Sequence, residues 1–139
     1  MTARVTPYLS FAGNTREAME FYQSIFGGKL DITTYADLHR TQNPAEEGLV
    51  AHSMLVGATG VTLMGSDSPT LEQHRAGGAV SVALGGDETE LTQHWGRLTE
   101  DGTVTVPFAR SAWGALYGQC TDQFGIAWLL NATTSGEPQ

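Results

Sequence analysis

Apolar and polar residues alternate from Val5 to Phe11. Val5, Pro7, Leu9 and Phe11 share one face, and Thr6, Tyr8 and Ser10 the other, the period of a half-buried strand. Pro7 has no N–H to give to a neighbour, so that end of the strand belongs at an edge or a bulge. The period then changes. Ala18, Phe21, Tyr22 and Ile25 fall at i, i+3, i+4 and i+7 within Thr15 to Phe26, the apolar stripe of a helix. Asn14 is its expected N-cap with Glu17 three residues on, and Gly27-Gly28 its stop. Strands are predicted over Lys29 to Tyr35, Leu49 to Val56 and Val61 to Ser66. A polar loop, Asp37 to Gly48, and a turn, Gly57-Ala58-Thr59-Gly60, connect them.

After a linker from Asp67 to Gly78 the same order returns. Ala79 to Leu84 is an apolar, β-prone run. Asp87, with Glu90 at N3, opens a helix from Glu88 to about Thr99 that buries Leu91, Trp95 and Leu98, and Asp101-Gly102 closes it. Thr103 to Val106 is a β-branched strand stopped by Pro107. Trp113 to Cys120 is a strand with Gly114 and Gly118 as bends or points of close approach. The stretch Cys120 to Asn131 then forms a hairpin, in which Asp122 folds its carboxylate onto the backbone and Gly125 takes the turn. Its last strand, Ile126 to Leu130, is continuously apolar. The tail from Thr133 is polar and is expected to fray. Gly60 and Gly125 occupy equivalent turns, and Val61-Thr62-Leu63-Met64 lies over Ile126-Ala127-Trp128-Leu129. The chain is therefore read as an α+β protein of two βαβββ modules, about 4–66 and 79–132, in one domain spanning 1–139.

Composition narrows the function. With 40% hydrophobic and 16% charged residues in 139, the chain can bury a core. A net charge of −8 with only 7 Lys and Arg argues against nucleic acid or an anionic membrane as partner. No run approaches the ~20 apolar residues needed to span a bilayer, and no secretory signal opens the chain. The single cysteine, Cys120, excludes an intramolecular disulfide and a cysteine-based zinc cluster within one chain. A reducing cytoplasm is the expected location.

Two βαβββ modules in this length resemble the vicinal oxygen chelate superfamily, which includes glyoxalase I, extradiol dioxygenases and bleomycin-resistance proteins. The resemblance is closer to its PhnB-like branch. It is carried by Pro7-Tyr8-Leu9-Ser10-Phe11-Ala12-Gly13-Asn14 with Ala18 and Phe21-Tyr22. Ala51-His52, Trp113-Gly114, Tyr117-Gly118 and Asp122-Gln123-Phe124-Gly125 with Trp128 complete it. It implies the glyoxalase/bleomycin-resistance fold, with a barrel-like cavity, helices outside and a homodimer.

In metal-dependent members of that superfamily, His, Glu or Gln ligands stand on the first and last strand of each module. Those positions fall here at Pro7, near Met64, near Ala79 and at Leu129, and none suits a hard or borderline cation. The expectation is a protein that binds a small molecule with no metal and no cofactor, in a cavity lined by Leu9, Phe11, Met64, Trp113 and Leu129. His52 is a possible acid, base or ligand, with a hydrogen-bonded sheet histidine as the simpler reading. His39, His74 and His94 read as solvated. Trp113 and Tyr117, four apart on one predicted strand, either stack on a planar ligand or belong to the core. Arg110 could hold an anion or be a solvated loop residue, and Cys120 reads as a buried, inert thiol. Two alternatives remain: an enzyme of lyase, isomerase or dioxygenase type with a site displaced to His52, or a structural module with no ligand.

Overall fold

The computed structural model describes residues 3, 5–39, 47–58, 60–68 and 80–132. His74 and Ala79, most of the expected 37–48 loop, the 67–78 linker beyond Ser68, and the tail lie outside the described residues. The chain separates into two compact units, Met1–Arg75 and Ala76–Gln139.

The first unit runs β1 (Tyr8–Phe11), α1 (Thr15–Phe26), β2 (Lys29–Thr34), β3 (Val50–Val56) and β4 (Thr62–Asp67). Its sheet has the order β1-β4-β3-β2, with β1 parallel to β4 and the other pairs antiparallel. The second unit runs β5 (Val82–Gly86), α2 (Glu88–Leu98), β6 (Thr103–Arg110), β7 (Leu116–Thr121) and β8 (Ala127–Ala132). Its order, β5-β8-β7-β6, is the same topology. The repeat extends to the turns. Gly60 and Gly125 have φ of 90° and 89°, a region open to glycine at little cost, and each stands just before a residue whose carbonyl closes the turn. Gly57 N–H donates to the Val61 carbonyl at 2.6 Å, and Asp122 N–H to the Ile126 carbonyl at 2.9 Å.

The buried stripe of α1 is Thr15, Ala18, Met19, Tyr22 and Phe26. It is rotated from the expected one: Met19 and Phe26 take the core positions given to Phe21 and Ile25. The helix lies on β2, β3 and β4, and α2 lies on β5, β7 and β8. Under α1, Leu9, Phe11, Leu55 and Leu63 complete the core of the first unit; under α2, Leu84, Leu91, Leu98, Trp128 and Leu130 complete that of the second. Each such side chain contributes about 1.5–3 kcal/mol through removal from water.

Two buried aspartates tie these layers together. Asn14 makes no side-chain capping bond. Instead Asp67, at the end of β4 and 2% exposed, reaches the start of α1. Its Oδ1 accepts from Gly13 N–H (2.9 Å), Thr15 N–H (3.1 Å) and the Thr15 hydroxyl (2.7 Å), and its Oδ2 accepts from Val50 N–H (2.8 Å). A residue remote in sequence has thus displaced the local cap. At α2 the local cap holds: Asp87 Oδ1 accepts from Glu90 N–H at 2.8 Å. In the second unit Asp122 Oδ1 accepts from Phe124 and Ile126 N–H (2.8 and 3.1 Å), and Oδ2 accepts from Trp128 Nε1–H (2.8 Å).

Strand β6 continues through Pro107, where the sequence predicted a stop. It is an edge strand, and its register with β7 shifts between Val104 and Val106 and again between Val106 and Ala109. Pro107 sits in the second irregularity, where its missing N–H costs no ladder bond. Pro7 likewise immediately precedes an edge strand, and its carbonyl accepts from Met64 N–H at 3.0 Å. No helix among the described residues is long and apolar enough to cross a membrane.

Candidate functional site

Each helix covers one face of its sheet. Alternation along the strands puts every second residue on the other face, which the unit's own helix leaves open. In the first unit the helix-side parity is Leu9, Phe11, Ser53, Leu55, Leu63, Gly65 and Asp67, all buried. A Cβ at Gly65 would stand 3.3 Å from Phe11 Cε2 and 3.4 Å from Met19 Sδ, which fixes Phe11 under the helix. Leu9 and Phe11, expected to line a ligand cavity, therefore belong to the helix-covered core.

The open parity of β1 is Tyr8 and Ser10. Register pairs Tyr8 with Met64, and Met64 with Met54 on β3, so the three form one row across the sheet. His52 stands on the same face, two residues from Met54, and its ring lies 6.3 Å from that of Tyr8, centroid to centroid, at 32°. Tyr8, and not Pro7, is thus the partner of Met64 on the open face. The expected position was one residue off, and a shift of one reverses the face.

The second unit repeats the arrangement with other chemistry. Ala83 pairs with Leu129, and Leu129 with Gln119; Gly85 pairs with Asn131, and Asn131 with Tyr117. Met64 and Leu129 each follow their turn glycine by four residues. The register then makes Ala83 the equivalent of Tyr8, four residues beyond the expected Ala79. Gln119 Nε2–H donates to the Tyr117 hydroxyl at 2.5 Å. Asn131 Oδ1 is buried and has no hydrogen-bond partner among the described residues. Gln119 and Asn131 were missed in the sequence reading; a polar residue opposite Leu129 on β7 and another two residues along β8, each within an otherwise apolar stretch, were the available signal.

Trp113 is on the turn between β6 and β7 and not on a strand. The expected shared strand face is therefore not what joins it to Tyr117. The rings still meet, edge to face, at 5.4 Å and 72°, and Trp113 stays 65% exposed. The turn is held by Arg110, whose Nη1–H donates to the Gly114 carbonyl (2.8 Å) and to Glu88 Oε2 (2.8 Å), while Nη2–H donates to Glu88 Oε1 (3.1 Å). The Arg110 hydrogen bonds hold the Glu88 carboxyl below its ordinary range, and the carboxylate in turn raises the guanidinium pKa. Arg110 is thus committed within the fold as a clamp from α2 to the turn.

His39 is exposed in a left-handed turn, φ 56°. His94 is not solvated as expected: its side chain is 14% exposed, with Nε2 3.4 Å from Glu90 Oε1 one helical turn away. Cys120 is 1% exposed, and burial, then the nearby Asp122 charge, pushes its thiol up to about 11. A folded pKa above the unfolded value stabilises the fold below about pH 8.5, the unfolded thiol range, and that contribution is lost as pH rises through about 11. The native chain is expected to resist a thiol reagent such as N-ethylmaleimide at pH 8 and to react promptly in denaturant. Stoichiometric labelling of the native chain within minutes would contradict a buried thiol. The described residues contain no group of three or more His, Cys, Asp or Glu able to hold a metal ion.

A family model described as 3-demethylubiquinone-9 3-methyltransferase matches residues 3–131. The chain belongs to this family. Within it the chain is PhnB-like, and its paired βαβββ units are the glyoxalase/bleomycin-resistance fold of the vicinal oxygen chelate proteins. Protein YjdN of Escherichia coli strain K12 is 26% identical over 137 residues, covering 91% of this chain and 93% of YjdN. The crystal structure of PA1353 from Pseudomonas aeruginosa is 30% identical, covers 96% of this chain and 100% of that one, and superposes with a TM-score of 0.81. The PhnB protein from Bacillus cereus is 26% identical over 94% of this chain and 100% of its own, with a TM-score of 0.78.

Proposed function

We propose that this PhnB-like protein binds a small organic molecule on the open faces of its sheets, without the divalent-metal centre used by metal-dependent members of the fold. The observation that carries the reading is the set of side chains at the open positions of the first and last strands. These are Tyr8 and Ser10 on β1, Thr62, Met64 and Ser66 on β4, Ala83 and Gly85 on β5, and Ala127, Leu129 and Asn131 on β8. None is a carboxylate or an imidazole, so a hard or borderline divalent cation finds no fitting donor set. The second unit offers what an organic ligand uses instead: an aromatic corner of Trp113 and Tyr117, an apolar Leu129, and the polar groups of Gln119 and Asn131. His52 and Met64 stand on the corresponding face of the first unit. The homodimer implied by the family resemblance and the cytoplasmic location expected from the single cysteine belong to the same proposal.

The family's description mentions methyl transfer. The β1–α1 turn, Ala12-Gly13-Asn14, and the β5–α2 junction, where Asp87 alone separates the strand from the helix, hold no glycine-rich loop for a nucleotide-type methyl donor, and Glu88 and Glu90 set negative charge at the start of α2. Binding is accordingly preferred to methyl transfer.

The test has two arms. Saturation with Mn(II), Zn(II), Ni(II) or Mg(II) is expected to leave the thermal midpoint unchanged, and a stoichiometric rise with any of them would overturn the reading without a divalent-metal centre. A ligand found by a tryptophan-fluorescence screen is expected to bind about fivefold to tenfold more weakly to Trp113→Ala or Tyr117→Ala, the worth of one aromatic contact. Unchanged affinity in both variants would remove the aromatic corner from the site. A turnover abolished by His52→Ala in a folded chain would favour the displaced enzyme site instead.

A further inference from the structure

We propose that the open face of the first unit is a binding site for a soft monovalent metal, Cu(I), with Met54, Met64 and His52 as its ligands. The thioether of Met64 stands on the face of β4 opposite the helix, between the buried Leu63 and Gly65.

That thioether is not isolated. Met54 is its direct partner across the β3–β4 ladder, and His52 shares their face two residues along β3. Directly opposed residues of a sheet have Cβ atoms about 4.5–5.5 Å apart, and residues two apart on one strand about 6.6 Å. Methionine places its sulfur at the end of a flexible chain, and an imidazole reaches a similar distance from its backbone. The three donors can therefore meet at one ion in front of the sheet. Neutral thioether and imidazole donors are the set that favours Cu(I) over Mg, Mn or Zn.

The competing reading, that the two methionines fill the core, conflicts with where the core is. The helix side is occupied by Leu9, Phe11, Met19, Leu55 and Leu63, whereas Met54 and Met64 remain half-buried on the opposite face. Asp31 is the next residue of the row, paired with Met54. Its side chain is 71% exposed, with Lys29 Nζ 3.9 Å away, so the inner donors are the soft ones. Tyr8, opposite Met64 and beside His52, would shield the ion from one side. The only thiol of the chain, Cys120, lies in the second unit and is buried there.

Anaerobic titration of the full chain with Cu(I), in competition with bathocuproine disulfonate, tests the site. The wild-type chain is expected to take one Cu(I). Met64→Leu, which conserves volume, and the Met54→Leu/Met64→Leu pair are expected to lose affinity, the pair by at least about tenfold because both sulfur bonds to the metal are gone. His52→Ala should weaken binding comparably, and Cys120→Ser should leave it unchanged, with unaltered far-UV circular dichroism reporting the fold in each. Failure of the wild type to retain Cu(I) overturns the proposal. So does wild-type affinity in the double variant, or loss of binding in Cys120→Ser alone. Binding of an organic molecule against Trp113 and Tyr117 is read separately and stands or falls independently.

Discussion

Asp67→Ala is expected to destabilise the first unit by about 4 kcal/mol, because four donors lose one buried charged acceptor at once. Gly13 N–H, Thr15 N–H, the Thr15 hydroxyl and Val50 N–H all point at the two oxygens of this carboxylate. Alanine leaves the buried Thr15 and Val50 donors without this acceptor, while the half-buried Gly13 N–H can turn to water. The start of α1 loses its only capping side chain among the described residues, and the first residue of β3 loses its side-chain tie to the end of β4. Asp67→Asn separates the roles of the two oxygens. Its single carbonyl can still serve the Gly13 and Thr15 donors, but its NH₂ faces Val50 N–H donor to donor, so a loss of about 2 kcal/mol is expected. Urea unfolding followed by far-UV circular dichroism measures both. The tryptophans, Trp95, Trp113 and Trp128, all lie in the second unit, so their fluorescence does not report the first unit directly. A midpoint for Asp67→Ala within error of the wild type would show that the four donors find other partners.

Gly28→Ala is the second large effect, about 3–5 kcal/mol, from two sources that can be separated. Gly28 has φ 89°, where any side chain is strained, and a Cβ there would lie 1.9 Å from the Val56 carbonyl oxygen. Neither α1 nor β3 can give way without moving backbone, since Gly28 is where the chain leaves the helix and turns into β2 against Val56. Gly60 is the control. Its φ of 90° is nearly the same, but a Cβ there meets nothing within 4 Å. Gly60→Ala is therefore expected to cost only the conformational part, about 1–2 kcal/mol. The difference between the two thermal midpoints isolates the collision with Val56. Equal losses would mean that β3 relaxes away from Gly28 freely.

The local punctuation was legible in the sequence because each signal acts on its own neighbours. Asp87 caps α2 through Glu90, three residues away, and Asp122 folds onto Phe124 and Ile126, two and four away. Gly60 and Gly125 marked equivalent turns because each takes a positive φ that glycine adopts at little cost. Asn14 had the same local credentials and was displaced, since Asp67, more than fifty residues on, offered a buried charged acceptor in the folded state. The α1 stripe shifted for a similar reason: Phe26 and Met19 also satisfy helical spacing, and the sheet beneath selected them over Ile25 and Phe21.

The candidate site was less legible, because it depends on which parity of each strand the helix covers. Leu9 and Phe11 are as apolar as any cavity lining, and only the position of α1 decides that they are core. The sequence predicts a strand from Trp113 to Cys120, whereas Arg110 fixes Trp113 on a turn by reaching Gly114 and Glu88. The sequence by itself determined the α+β class, the βαβββ repeat, the turn glycines and the absence of acidic or imidazole side chains at Met64 and Leu129. These follow from periodicity and residue type, which act over a few positions. Tertiary structure alone decided that Tyr8 replaces Pro7 beside Met64, that Ala83 is its counterpart beside Leu129, and that Met54 and His52 stand with Met64 on one open face. Those relations are set by strand register, and register is fixed only when one sheet face is buried against its helix.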